Sequence, residues 1–321
     1  MENYNNFENL IKNSKNILII SHINPDGDTL GCMCGLFSSI YKKYKKKAEM
    51  LIISSIPKIY EFLPHIKTAK NVSDIDKSRE YDLVITVDVA ALDRIVDAQI
   101  LFNKAKHTIN IDHHKTNDNF GEVAIVKPEA SSASEVLFDI LKELNWEIDS
   151  EIATSLYVGI LTDTGGFKFE NTTSKVLNAC GELIDKGVNP NDLYKKCYES
   201  KSKEIILFQS HCINNAKFEN NDKIAYSIIY NKDLEKYNVK NDATDGIAET
   251  LRSMFTTEVS FVAKEIDSKS CKVSMRSKKI DVAKICSIFG GGGHKFAAGC
   301  TTKYSVTETA KKLIAEINKE L

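Results

Sequence analysis

The sequence predicts an α/β protein: a doubly wound, mostly parallel sheet joined by a helical connector to a smaller α/β domain. Three observations carry this. Four short, continuously apolar runs recur through the first part of the chain, alternating with segments of helical periodicity, as in a parallel sheet buried on both faces. At 321 residues the chain exceeds what one core usually fills, so two domains are expected. A second strand-and-helix rhythm begins only after a long stretch that is helical throughout.

Ile17-Leu18-Ile19-Ile20 is the first buried strand, and residues 29–44 read as the helix after it. Residues 50–53, 83–87 and 108–111 supply the next three apolar runs. Between Pro128 and Asn145 the pattern changes: Val136, Leu137, Ile140, Leu141 and Leu144 recur at helical spacing, and Ser132 with Glu135 is a capping-box signature at the start. Helical segments continue around 152–161, 174–186, 191–198 and 202–214. Beyond them, 223–230 is strand-like, 245–255 helix-like, 259–265 and 270–276 a pair of strands, and 281–289 a short helix leading into four consecutive glycines. The lysine-rich run 42–47 is expected to be a solvated face.

Composition narrows the function. Lys and Arg total 43 against 44 Asp and Glu, so the broad basic face of a duplex-binding protein is not expected. Any nucleic-acid substrate should be short and held by a local site. The eight cysteines are scattered without a CxxC pair, which suits reduced thiols. The N-terminal residues lack a signal-peptide core, and no apolar run approaches the ~20 residues of a membrane span. A cytoplasmic protein without membrane association is expected.

Acidic and histidine residues cluster directly after the apolar runs. His22 comes after the first, within Ser21-His22-Ile23-Asn24-Pro25-Asp26-Gly27-Asp28; Asp88 closes the 83–87 run; Asp112-His113-His114 closes the next. Thr162-Asp163-Thr164-Gly165 ends another apolar segment, and is expected to act from a strand end in the same way. In an open α/β sheet, ligands bind at the carboxyl ends of the strands. Singly, Asp26-Gly27-Asp28 could be a turn, Asp88 a helix cap, and His113-His114 a surface pair. Jointly, His22, Asp26, Asp28, Asp88, His113 and Asp163 offer six hard or borderline donors and no thiolate, which favours Mn²⁺ over structural Zn²⁺. Six donors suit two ions better than one, and two ions about 3.5–4 Å apart can clamp a phosphate and generate a hydroxide.

These motifs resemble those of the DHH phosphoesterases, whose signature triplet is matched by Asp112-His113-His114. The resemblance runs from Ile17 to the last helix. It implies a metallophosphoesterase domain over 1–190, a connector over 191–215 and a DHH-associated substrate-binding domain over 216–321. It also implies His22, Asp26, Asp28, Asp88, His113 and Asp163 as ligands of two Mn²⁺ ions, with Mg²⁺ or Co²⁺ as substitutes. By the same resemblance His114 touches the substrate phosphate, and Asp112 orients a histidine or the turn. Phe289-Gly290-Gly291-Gly292-Gly293-His294-Lys295-Phe296 looks like the glycine-rich motif of the associated domain. Gly291, Gly292, Gly293, His294 and Lys295 would bind substrate there, together with Arg276 in Ser274-Met275-Arg276-Ser277-Lys278 and, less directly, Arg252.

The short two-domain layout is similar to the small NrnA-type oligoribonucleases of that family. That implies hydrolysis of short single-stranded RNA or DNA oligonucleotides, dinucleotides to pentanucleotides, with pApA, and of pAp to AMP. Members of the group are often homodimers. Two rival readings are a cyclic-di-AMP phosphodiesterase and a non-catalytic RNA-binding protein, and the intact ligand set argues against the second.

Overall fold

The computed structural model describes residues 2–321, which divide into two compact units at the Ser200–Lys201 link. The first unit is built on six parallel strands: β1 (Ile17–Ile20), β2 (Glu49–Ile52), β3 (Lys70–Asn71), β4 (Leu83–Val87), β5 (His107–Asp112) and β6 (Val123–Val126). Their order is β3-β2-β1-β4-β5-β6. β1 therefore has its sequence neighbour on one side and a strand from more than sixty residues later on the other. The loops leaving β1 and β4 diverge at this point, which opens a crevice at their carboxyl ends.

Each central strand is buried on both faces, and its side chains alternate between two cores. Ile17 and Ile19 join the larger core, whereas Leu18 and Ile20 pack on the opposite face with Ile95, Leu101 and Phe102. The helices are α1 (Glu2–Asn13), α2 (Gly27–Tyr44), α3 (Gln99–Lys104), α4 (Ala133–Glu143), α5 (Ser150–Asp163), α6 (Ser174–Asp185) and α7 (Pro190–Tyr198). Helix α5 lies close against α2 because the contact is made of glycine. A Cβ on Gly31 would sit 2.5 Å from the Ser155 carbonyl oxygen, and one on Gly159 would sit 2.7 Å from Asp28 Oδ1.

Two sequence expectations change here. The lysine run is not simply a solvated face: the Lys46 ammonium donates to the carbonyls of Ile11, Lys12 and Ser14 and so closes the C-terminal end of α1. Strands β3 and β6 add to the four expected: β3 is only the polar pair Lys70-Asn71, whereas β6, Val123-Ala124-Ile125-Val126, is a short apolar run at the sheet edge.

Asp82 fastens the start of β1 to β4. Its Oδ2 accepts the amides of Lys15 and Asn16, each at 3.0 Å, and its Oδ1 accepts Lys106 Nζ at 2.8 Å. The Lys106 ammonium and these amides hold its carboxyl well below the usual range. A depressed folded-state pKa contributes stability above the unfolded value, near 4, and that contribution disappears as pH falls. Asp82→Asn should cost about 1–2 kcal/mol at neutral pH. In urea melts at descending pH, the gap between wild type and variant should close below about pH 4; a pH-independent gap would refute the electrostatic account.

The second unit carries a mixed sheet: β7 (Lys217–Glu219), β8 (Ile224–Ile229), β9 (Val259–Asp267), β10 (Ser270–Ser277), β11 (Gly292–His294) and β12 (Ala297–Thr302). Its order is β11-β12-β10-β9-β8-β7, antiparallel throughout except for the parallel β8–β9 pair. Around it lie α8 (Lys203–Asn214), α9 (Asn231–Tyr237), α10 (Ile247–Arg252), α11 (Val282–Ile288) and α12 (Val306–Glu320). One face packs Val259, Phe261 and Met275 against Ile285 and Leu313; the other packs Ala225, Ile229 and Val262 against Phe208 and Leu251. The helix expected over 245–255 is shorter: α10 runs only Ile247–Arg252, because Asp245 is extended and Gly246 lies in the left-handed region at φ +90°. Of the stretch read as a connector, α7 falls in the first unit and α8 in the second.

All eight cysteines are buried and outside any disulfide. Among the described residues no helix is long and apolar enough to cross a membrane.

Candidate metal site and phosphate-binding groups

The crevice above β1 and β4 gathers the histidines and aspartates. His22 leaves β1 with Nδ1 at 2.8 Å from the Ile23 carbonyl, so Nδ1–H donates there and Nε2 faces the crevice. Asp26 caps α2: its Oδ1 accepts the amides of Asp28 and Thr29 at 3.0 and 3.1 Å. Asp28, in the first turn, is buried, and its two oxygens accept the amides of Ala133 and Ser134 at 2.6 and 2.9 Å.

Asp88 comes after β4 in the left-handed region, at φ +58°, a conformation that Asp and Asn tolerate better than most residues. The bend aims its carboxylate at two sets of partners. Oδ2 lies 3.3 Å from His22 Nε2 and accepts the Thr29 hydroxyl at 2.7 Å. Oδ1 lies 3.6 Å from both His113 Nε2 and His114 Nδ1, and has no hydrogen-bond partner although the residue is 3% exposed.

Asp112 ends β5 and is fully buried. It accepts His114 Nδ1 at 2.8 Å and Asn117 Nδ2 at 2.6 Å, so both oxygens are engaged. This turns His114 Nε2 away from Asp112. His113 Nδ1 lies 3.3 Å from the Ala130 carbonyl, and its Nε2 lies 3.5 Å from Asp163 Oδ2. Asp163 corrects an expectation. It reaches the site from the C-terminal end of helix α5, not from a strand.

The electrostatics are those of a site built around positive charge. Burial, and next the neighbouring Asp88, push the Asp28 carboxyl well above its usual range; Asp163 is pushed up by burial and by Asp28 and Asp88. Burial opposes the Asp88 charge too, but the hydrogen bond and charge of His22 hold its carboxyl at about 2. For His114, burial is outweighed by Asp112 and Asp88, which lift the imidazole to about 9.

Three groups of donors each lie within 4.8 Å: His22, Asp26 and Asp88; Asp88, Asp112, His113 and His114; Asp28, His113 and Asp163. The donor chemistry, imidazole and carboxylate, suits a divalent ion, and the orphaned Asp88 Oδ1 is a buried acceptor that an ion would satisfy. Asp88 and His113 each belong to two groups.

In the second unit the register sets Ser260, Arg276, Ala297 and His294 in one row across β9, β10, β12 and β11. Residues paired this way share a face, so Arg276 and His294 flank the small Ala297. Arg276 Nε donates to Glu249 Oε1 at 2.7 Å, and its Nη1 to the Met275 carbonyl at 2.9 Å. Arg252 Nη1 reaches the Ser277 carbonyl at 3.4 Å. The glycine run is not a plain loop, because Gly292–His294 is an edge strand paired with β12. Gly291 is held by packing, with a Cβ falling 2.2 Å from the Gly299 carbonyl oxygen; Gly290 and Gly293 have positive φ, +74° and +139°; Gly292 opens onto clear space without that backbone constraint. Lys295 is exposed, its ammonium 5.0 Å from the centre of the Phe296 ring.

Sequence reasoning missed Thr29 and Asn117, which bind the donors, and Phe255, which is 99% exposed three residues beyond Arg252. No spacing rule marks any of the three.

The parallel sheet collects acids and imidazoles at its switch point, as a divalent-metal site requires, and the chain belongs to the DHH family of metal-dependent phosphoesterases. The DHH family N-terminal domain matches residues 16–160, and the DHHA1 domain matches 221–321. The particular relatives are bifunctional. The probable bifunctional oligoribonuclease and PAP phosphatase NrnA of Streptococcus mutans is 31% identical over 93% of this chain and 93% of its own. The bifunctional oligoribonuclease and PAP phosphatase NrnA of Bacillus subtilis is 29% identical over 94% and 93%. An exopolyphosphatase-related protein from Bacteroides fragilis has a similar structure, with a TM-score of 0.93 at 25% identity, over 99% of this chain and 96% of that one.

Proposed function

We propose that this protein hydrolyses short single-stranded oligonucleotides, including pApA, to mononucleotides, and pAp to AMP, with two divalent ions, Mn²⁺ by preference and Mg²⁺ or Co²⁺ as substitutes. The observation that carries the reading is the Asp88 carboxylate, whose two oxygens face two different donor groups across one crevice. His22, Asp26 and Asp88 would hold one ion; Asp88, Asp28, His113 and Asp163 would hold the other. When bound, such a pair supplies Lewis acidity for the phosphoryl oxygens and activates water.

This chain's own groups do the rest. Asp112 fixes the His114 ring so that Nε2 can donate to a non-bridging oxygen of the scissile phosphate. Water attacks phosphorus in line, the P–O3′ bond breaks, and the sugar oxygen departs with a proton. Arg276 and His294 would grip a phosphate that does not react, with the backbone at Gly292 giving close approach.

A product-resolved assay with Mn²⁺ tests this, offering pAp, pApA, an RNA pentanucleotide, a long RNA and cyclic-di-AMP. AMP from pAp and mononucleotides from the short linear substrates support it. Cleavage of the cyclic dinucleotide alone, or of the long RNA alone, refutes it. Arg276→Ala should raise KM for pApA about tenfold with little change in kcat, since it removes binding away from the reacting phosphorus; an equal fall in kcat would contradict that placement.

A further inference from the structure

Thr29 sits where no motif requires a donor. It is fully buried in the first turn of α2, and its Oγ1 lies 2.5 Å from His22 Nε2, 2.7 Å from Asp88 Oδ2 and 3.2 Å from Asp26 Oδ1. It touches every member of the His22, Asp26 and Asp88 group. We propose that the Thr29 hydroxyl oxygen is a fourth donor to the divalent ion held by these three residues. The proposal rests on the two-ion reading of the site.

The proton count is the first argument. His22 Nδ1 donates to the Ile23 carbonyl, so a neutral ring presents a lone pair at Nε2. Asp88 and Asp26 also present lone pairs. The hydroxyl has one proton for three acceptors, and the contacts left over set oxygen against nitrogen or oxygen with nothing between. A divalent ion at the centre of these contacts would draw all four lone pairs inward.

Spacing is the second argument. Donors sharing one octahedral ion at about 2.1 Å lie about 3 Å apart. The separations here are 2.5, 2.7 and 3.2 Å to Oγ1, and 3.3 Å between His22 Nε2 and Asp88 Oδ2. Nor can the hydroxyl easily leave. Its residue is β-branched with restricted χ1, and its amide is tied to Asp26 at 3.1 Å. The orphaned Asp88 Oδ1, on the far side of the same carboxylate, supports the two-ion reading on which this assignment rests.

Calorimetric titration of the ion-free full-length protein with Mn²⁺, without substrate, tests this on wild type, Thr29→Ala and Thr29→Ser, with circular dichroism confirming that each variant is folded. Wild type should bind two ions. Thr29→Ala should weaken one of them about tenfold or more and leave the other alone, whereas Thr29→Ser, which keeps the oxygen but not the β-branch, should recover most of the lost affinity. Wild-type affinity for both ions in folded Thr29→Ala, or a Thr29→Ser as weak as Thr29→Ala, overturns the assignment while leaving the two-ion reading intact. A wild type that binds no Mn²⁺ overturns both.

Discussion

Asp88→Asn is expected to lower kcat by about 10³-fold or more and to reduce Mn²⁺ binding from two ions to at most one. Asparagine is the informative replacement. At φ +58° it keeps the backbone comfortable, it preserves an acceptor for the Thr29 hydroxyl, and it removes only the charge and one anionic oxygen. Any loss is then chemical and not a failure to fold. A thermal melt separates the effects further. An ion at a hundred times its Kd stabilises the folded state by about 2.7 kcal/mol. Added Mn²⁺ should therefore raise the melting temperature of wild type far more than that of Asp88→Asn. Equal shifts in both would mean that the ions bind without this carboxylate, and the bridging role would be lost.

Gly159→Ala should do comparable damage without altering any donor. The added Cβ would lie 1.9 Å from Ser134 Oγ, 2.6 Å from Ser134 Cβ and 2.7 Å from Asp28 Oδ1. A rotation of the serine hydroxyl relieves the first contact but not the other two. Overpacking of this kind costs about 1–3 kcal/mol, partly offset by the roughly 1 kcal/mol that alanine gains over glycine inside a helix. The larger effect is functional. Asp28 is fixed by the Ala133 and Ser134 amides, so pushing α5 away from α4 displaces this carboxylate from Asp163. Mn²⁺ affinity and kcat should both fall more than tenfold, in line with lost support for a ligand. A variant that melts lower yet binds Mn²⁺ normally would show that the helices give way without moving Asp28.

Much of the first unit is readable because its physics is local. Ile17-Leu18-Ile19-Ile20 and residues 83–87 are apolar on both faces, as only a central parallel strand needs to be, and the polar residues after them fall at the sheet's carboxyl edge. The parts that escape depend on partners far along the chain. Ala297–Thr302 is a strand because it pairs with β10 and β11, and its small, mixed side chains carry no period of their own. Gly292–His294 reads as loop by propensity and is strand by pairing. Asp163 resembles a strand-end residue because an apolar segment precedes it; that segment is apolar on all sides because α5 is buried against both α2 and α4, not because it is extended. Thr29 cannot be singled out from sequence, since its importance lies in three contacts and not in a spacing.

The two bonds from Asp28 to the start of α4 span 105 and 106 residues. Until the segment carrying Asp28 docks, two amides in the first turn of that helix lack this acceptor. Ser132 caps the Glu135 amide locally, but satisfying the Ala133 and Ser134 amides and assembling the crevice are one event, and a long-range one, of the kind that forms slowly and late in folding. Interactions absent from the transition state change the rate of unfolding and leave the rate of folding nearly untouched. Added ions would not guide the nascent chain. They would act afterwards as a kinetic lock, lengthening the lifetime of a domain that had already found its structure.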